Sequence, residues 1–455
     1  MRKGEPRTGG LFSDSQWRQP ETTTVIADLP DNAADGVRNL LAGATDSLGL
    51  DQLPGVHFFR AFVIASGIDA AGPYPTRAVI SAVFDGETDA FFSQWCAVAH
   101  DRIVEIFHPC LGFPATATSE NVCQWLQARA ERPKTYHIGP VRSRTSEVRE
   151  EDRLRTALGA FIDEQNKAGA WPHGDVLRIW DDIRAFVRSR ADLPQAPRVP
   201  NHWFARVLQT LDLVKRIGLL LLVPALLAWL WWSHAHHAIW SYPLAVLGFL
   251  AVMFSAWAIV VRVHELTEPD LVVKPAPGQV AAAVVDEDKG FQNQFTMLTP
   301  VRDSWFRRMN LRFVLWLADG LSRHFWNGGQ LAGIETIHFA RFHQIDGGRR
   351  MFFMSDFDGS WERYLFDFVE IGSLAVVPIW TNLRGCPQTR FLRWTTPGFE
   401  QRFLPFTRAY QIRTHFWYSA MSTLTVSEIN RNADIRAGLF QRKGRRAIEQ
   451  WLQLI

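Results

Sequence analysis

Two apolar runs dominate the hydropathy pattern of the chain. Residues 217–232 carry no charge, and a second such run spans 242–261 after a short polar connection at 233–241. At about 1.5 Å of rise per residue, a hydrocarbon core of about 30 Å needs about 20 helical residues. The second run meets that length, and the first reaches it by borrowing its flanks. The pattern predicts a transmembrane helical hairpin at 217–262, with Pro224 tolerated inside its first helix. A re-entrant hairpin is the competing arrangement, because the first run is short. Arg198, Arg206, Lys215 and Arg216 precede the hairpin and Arg262 follows it, whereas the connection holds no Lys or Arg. That positive-inside distribution expects a two-pass protein of the cell inner membrane with both large flanking regions in the cytoplasm. Residues 202–214 read as an amphipathic helix on the membrane surface, and Trp229, Trp231, Trp232 and Trp240 fall where an outer aromatic belt would lie.

The flanking regions alternate between strand and helix periodicity. In the first, residues 23–27 predict a strand, 32–44 a helix, 56–65 and 77–84 a strand pair, 87–99 a helix and 102–108 a strand. In the second, 292–298 predict a strand, 303–321 a helix, 336–345 and 350–356 a strand pair, 360–371 a helix and 376–381 a strand. Both orders are βαββαβ, the ferredoxin-like plan.

A duplication supports the parallel reading. His57-Phe-Phe-Arg60, Phe84-Asp85-Gly86 and Gly112-Phe113-Pro114 recur as His338-Phe-Ala-Arg341, Phe357-Asp358-Gly359 and Gly385-Cys386-Pro387. Gly86 to Gly112 and Gly359 to Gly385 are both 26 residues apart. Thr135-Tyr136-His137-Ile138-Gly139 and Phe416-Trp417-Tyr418-Ser419 follow at matching offsets. The expected fold class is α+β: two ferredoxin-like domains forming an internal pseudo-dimer, face to face around a central cavity or groove, with the hairpin between them. The expected organisation is a flexible N-terminus at 1–20, a first domain at 21–165, a partly interfacial helical linker at 166–216, the hairpin at 217–262, a linker at 263–289, a second domain at 290–440 and a basic tail at 441–455.

Composition adds little. The net charge is +3, the 19 Trp residues are in keeping with a membrane interface, and the four cysteines form no C-x-x-C pair. No apolar signal-peptide core follows Met1, which again leaves the first domain in the cytoplasm. No phosphate-loop, dinucleotide, zinc-protease or serine-hydrolase motif is apparent, and no aromatic–basic interleaving points to nucleic acid. His234, His236 and His237 in the connection read as interfacial polar residues, and no metal site is expected.

The second copy is richer in polar groups: Arg349, Arg350, Asp356, Asp358, Trp361, Glu362, Tyr364 and Asn382. The candidate catalytic residues are His338, Arg341, Asp356 and Asp358. His338 and Arg341 are three apart on a strand, so ideal alternation sends them to opposite faces. Asp356 and Asp358 share strand parity, and two close carboxylates can raise one pKa and supply an acid. The same residues have structural readings: a buried histidine anchored on a carbonyl, and an Asp-Gly pair that caps a helix and makes a turn.

The stretch from Ile337 through Trp380-Thr381-Asn382 resembles a bacterial family without an assigned activity, and is distantly similar to dye-decolourising haem peroxidases. Asp358-Gly359 resembles the end of the peroxidases' distal Gly-x-x-Asp-Gly motif, but Ser355 stands where its leading Gly would be. His415 is the candidate for the histidine below the iron. The resemblance implies an oxidoreductase with haem as a candidate cofactor; the membrane anchor read from the hairpin adds the expectation of a small or lipophilic substrate. Two other readings stay open: a non-catalytic ligand-binding or scaffold protein at the inner membrane, and a cofactor-free enzyme of the dimeric α/β-barrel type. Membrane lipid is the expected partner in each.

Overall fold

A computed structural model describes residues 20–455 except 45–46, 141–143, 172–174, 199–202, 236–239, 286, 327–328, 373–375 and 442–443. It is mixed α/β, with two apolar helices that could span a membrane. In the first half, β1 (Glu21–Asp28), α1 (Ala34–Ala42), β2 (Val56–Ile64), the ribbon β3 (Gly67–Asp69) and β4 (Gly72–Tyr74), and β5 (Arg77–Phe84) come first. They are followed by α2 (Thr88–Phe107), α3 (Ser119–Ala128), β6 (Ala130–Glu131), β7 (Thr135–Ile138), α4 (Thr145–Lys167) and α5 (Val176–Ser189).

The apolar runs form α6 (Trp203–Ala235) and α7 (Ser241–Thr267). Then come α8 (Pro277–Val284), β8 (Gln292–Pro300), α9 (Trp305–His324), β9 (Ile337–Ile345) and β10 (Arg350–Asp358). The chain closes with α10 (Trp361–Glu370), α11 (Val377–Trp380), the ribbon β11 (Thr389–Arg390) and β12 (Trp394–Thr395), α12 (Phe399–Ala409), β13 (Phe416–Ser419), α13 (Val426–Leu439) and α14 (Arg445–Leu452).

The main strands build two antiparallel sheets, ordered β13-β2-β5-β1-β6 and β7-β9-β10-β8. Their inner faces meet across an apolar layer that includes Phe62, Val79, Leu298, Phe352 and Met354, continued by Phe58, Val83, Tyr136 and Phe339. Helices cover both outer faces. Phe59, Trp95 and Ile103 anchor one helical core, and Phe353, Trp361 and Trp380 anchor the other. Every residue of β2 is therefore buried, whichever way it points. Such strands lose the polar–apolar alternation of a one-faced sheet.

The halves exchange strands. β13, from the C-terminal half, pairs with β2, while β7, from the N-terminal half, pairs with β9. Helices α4 and α13, which follow those strands, pack on one another.

Three expected elements differ. Residues 102–107 are helical and belong to α2, beyond a kink at Ala99, with Ile103, Ile106 and Phe107 buried at helical spacing and His108 as the C-cap. The strand that takes that place beside β1 is β6, only two residues long. Residues 376–381 contain the short helix α11, with Pro378 in its first turn, a position that needs no N–H bond. Residues 203–214 are not a separate surface helix but the first turns of α6.

Helices α6 and α7 have apolar windows of mean hydropathy 2.0 and 2.5. They pack on each other yet leave residues such as Leu222 and Phe254 more than 60% exposed. A core hairpin of a water-soluble protein would bury that surface. At the base of the hairpin, Arg216 pairs with Asp319 at 2.7 Å, and Glu268 pairs with Arg307 at 2.9 Å, so both helices are tied to α9.

Candidate functional site

The repeated His-x-x-Arg motif lies on β2 and β9, and each strand carries a β-bulge. The register of β2 against β5 passes from Val56 to Phe58, skipping His57, and that of β9 against β10 passes from Ile337 to Phe339, skipping His338. Each histidine is thus the extra residue of a bulge, which breaks the ideal alternation expected for His338 and Arg341. Both rings sit beside the inter-sheet layer, 5.6 Å from His57 to Phe339 and 5.3 Å from Phe58 to His338.

The histidines hold the repeated aspartates. His338 Nε2 lies 2.7 Å from Asp358 Oδ1, and the other oxygen of Asp358 accepts the Val426 N–H at 2.7 Å. His57 Nε2 lies 2.9 Å from Asp85 Oδ1, and the other oxygen of Asp85 accepts from the N–H and hydroxyl of Thr145. Each Asp therefore links the end of its strand to the first turn of the later helix, α13 or α4. Those first-turn N–H groups have no partner within the helix, and a carboxylate there also meets the positive end of the dipole. Burial alone would raise the Asp85 carboxyl, but the bonds from His57 and Thr145 hold it below its ordinary value. Gly86 and Gly359, the next residues, take φ of 95° and 84°, a conformation that favours glycine.

Asp356 is separate from this pair. It is 0% exposed and lies between two guanidinium groups that are 1% and 0% exposed, Arg60 from the first sheet and Arg341 from its own. Arg60 and Asp356 are in direct contact, and Arg341 Nη2 donates to Asp356 Oδ2 at 2.6 Å. Trp417 Nε1 donates to Asp356 at 3.0 Å. Arg60 also donates to the carbonyls of Phe295 and Ser355, and Arg341 to the hydroxyls of Thr22 and Ser81. The two arginines thus reach across the layer, each into the opposite sheet. Burial lowers the Arg341 pKa to about 10, against the attraction of Asp356. Tyr364 donates to Ser355 Oγ behind the cluster, and burial pushes its phenol up.

The four candidate residues are thus brought together as two structures rather than one. His338 and Asp358 cap a helix, while Arg341 and Asp356 join the sheets with Arg60. A bulge between Asp356 and Phe357 separates the two carboxylates, which share no partner among their hydrogen bonds. The wider polar group disperses as well. Arg350 binds Asp69 and Asp346 at the far end of β10, Asn382 bonds Asn310, and Glu362 pairs with Arg408. Arg60 and Trp417 complete the cluster, and the signal for Arg60 was present in the repeat: its counterpart is Arg341. Beside the two histidines, the void lined by His57, Phe58, His338 and Phe339 measures about 10 Å³, the threshold for one water molecule.

These residues do not fit haem. Asp358 offers it no free oxygen, the void beside it is far too small, and Phe58 and Phe339 pack 5.6 Å apart across the layer. His415 lies beside β2, where its Nδ1 is 3.4 Å from the Val63 N–H. His234 ends α6 against the Leu230 carbonyl, and His236 and His237 lie outside the described residues. A larger cleft of 290 Å³ opens elsewhere, at the start of α9, where Arg302, Arg308 and Arg349 line it. No protein family, curated protein or solved structure matches the chain.

Proposed function

We propose that the protein is a non-catalytic binding or scaffold protein, anchored in the inner membrane by the α6–α7 hairpin. In this reading the two halves are ferredoxin-like domains that form an internal pseudo-dimer on the cytoplasmic side. The observation that carries it is the engagement of His338, Arg341, Asp356 and Asp358: each is at most 10% exposed at its side chain and already bonded within the fold. A general acid or base must reach a substrate proton, and these groups reach one another instead. The strand order and the reciprocal contacts of His57 and His338 support the pseudo-dimer. The arginines at the hairpin base, Arg216 and Arg262, support the orientation.

The test is native mass spectrometry of the detergent-solubilised full chain together with its absorption spectrum. The reading expects the mass of the polypeptide without a tightly held prosthetic group, and no Soret band. A Soret band, or a stoichiometric organic cofactor, would overturn it in favour of a membrane-anchored oxidoreductase acting on a small or lipophilic substrate.

A further inference from the structure

Helix α9 has two apolar sides. Its inner side, with Leu311, Val314 and Leu315, packs into the second helical core. Its outer side repeats an apolar residue every fourth position: Trp305 is 70% exposed, Met309 40%, Phe313 39% and Leu317 38%. A helix on the surface of a water-soluble domain places polar residues there. Arginine accompanies the stripe at 308 and 312, and the helix has a single acidic residue, Asp319.

The position of α9 explains the stripe. Its first half touches α7, with Phe306 stacked on His264 at 4.7 Å and Asn310 accepting from Trp257 at 2.9 Å. Its second half touches α6, through Arg216 to Asp319 and Asp212 to His324. The helix therefore crosses the base of the hairpin, at the level where Arg216 and Arg262 end the apolar runs. Its outer face is continuous with the hairpin surface, because Trp257 contacts both Phe313 and the exposed Phe254.

The β11–β12 ribbon sits at the same level. Phe391 and Trp394 are 44% and 55% exposed, Arg262 lies over Phe391, and Arg393 lies over Trp394. Glu265 of α7 accepts the N–H groups of Phe391 and Leu392 at 2.8 and 2.7 Å. It holds both residues at positive φ, 53° and 61°. Such strain persists only where the surroundings impose it, and here it fixes an aromatic–basic tip to the base of a membrane helix.

We infer that α9 and the 389–395 ribbon form a second membrane contact, lying in the headgroup region of the leaflet that the hairpin enters. The partner is an anionic bilayer surface: apolar side chains reach the acyl boundary, and Arg308, Arg312, Arg390 and Arg393 meet the headgroups. The second half would then be seated on the bilayer rather than tethered above it. This inference rests on the hairpin crossing or entering the membrane.

The test places the photoreactive residue p-benzoylphenylalanine singly at Met309, Trp394, Phe254 and Leu111 of the full chain. The protein is reconstituted in vesicles of phosphatidylglycerol and phosphatidylcholine, irradiated and analysed by mass spectrometry. Phe254 reports the hairpin. Leu111 is 58% exposed and its N–H bonds the Asp28 carbonyl at the end of β1, in the sheet that does not carry α9 on its outer face. Lipid adducts at 309, 394 and 254, with none at 111, are expected. Adducts at 254 but not at 309 or 394, or crosslinks from 309 and 394 to a second copy of the chain, would overturn the inference and leave the hairpin reading intact. Loss of adducts at 254 as well would remove the hairpin reading on which it stands.

Discussion

At the residue scale the centre of the molecule is one carboxylate between two guanidinium groups. Removing one partner of a buried ion pair leaves an uncompensated charge, at a cost of about 3–5 kcal/mol. Asp356→Ala should lower the unfolding free energy by about that amount, read by denaturant titration in detergent. Its triple combination with Arg60→Met and Arg341→Met should recover much of the loss, because well-packed apolar side chains can replace such a cluster. The asymmetry was partly legible. His57 and Arg60 match His338 and Arg341, yet the residue matching Asp356 is Val83. Only the face-to-face arrangement of the strands shows that one carboxylate serves both arginines.

His343 gives a second prediction at this scale. It is buried opposite Thr24, and its counterpart in the first copy is Phe62. Burial, then the charges of Arg341 and Lys134, pull its pKa from 6.5 to about 3. The fold therefore prefers the neutral ring, while the unfolded chain takes up a proton more readily. Its contribution is complete above about pH 6.5 and is lost progressively as pH falls from there towards 3. His343→Phe should flatten the acid limb of stability between those values, measured by unfolding at stepped pH. An unchanged acid limb would contradict the assignment.

At the element scale the His–Asp pairs act as tethers for helix starts. Asp358→Ala leaves the Val426 N–H without its acceptor, and a loss of about 1–3 kcal/mol is the usual cost of an orphaned buried group. Faster amide exchange should appear first in α13, while α4, held by Asp85, should keep its protection. Uniform exchange in both helices would contradict the separate tethers. Only part of this level was readable: Asp-Gly before a helix is a capping pattern, but Asp358 and Asp85 cap the distant helices α13 and α4, while the helices that follow them start at Ser360 and Glu87. What escaped was short or disguised. The stretch Arg102-Ile-Val-Glu-Ile-Phe-His108 has strand-like residues, but burial of Ile103, Ile106 and Phe107 follows a helix. The two residues of β6 are too few to carry any period. The bulges at His57 and His338 leave no mark in composition, so strand parity misplaced the histidines.

At the scale of the whole molecule, strand exchange joins what sequence order separates. β7 and β13 each complete the sheet of the other half, across the hairpin that divides the chain. The duplication and the apolar runs were legible because both rest on repeated or long patterns. The exchange was not, because an edge strand of four residues carries no address for its partner. It holds both halves together in one body, so the proposed two-pass hairpin, which returns the chain to the side it left, is the arrangement that agrees with it.

Impermeant maleimide labelling tests this arrangement most directly. Single cysteines at Trp240→Cys and Leu111→Cys would be used in a Cys123→Ser background, the other native thiols being buried. Intact spheroplasts should label position 240 and leave position 111 unreacted until the membrane is opened. Labelling of 111 from outside, or of 240 only after opening, would contradict a hairpin that crosses twice and keeps both halves in the cytoplasm.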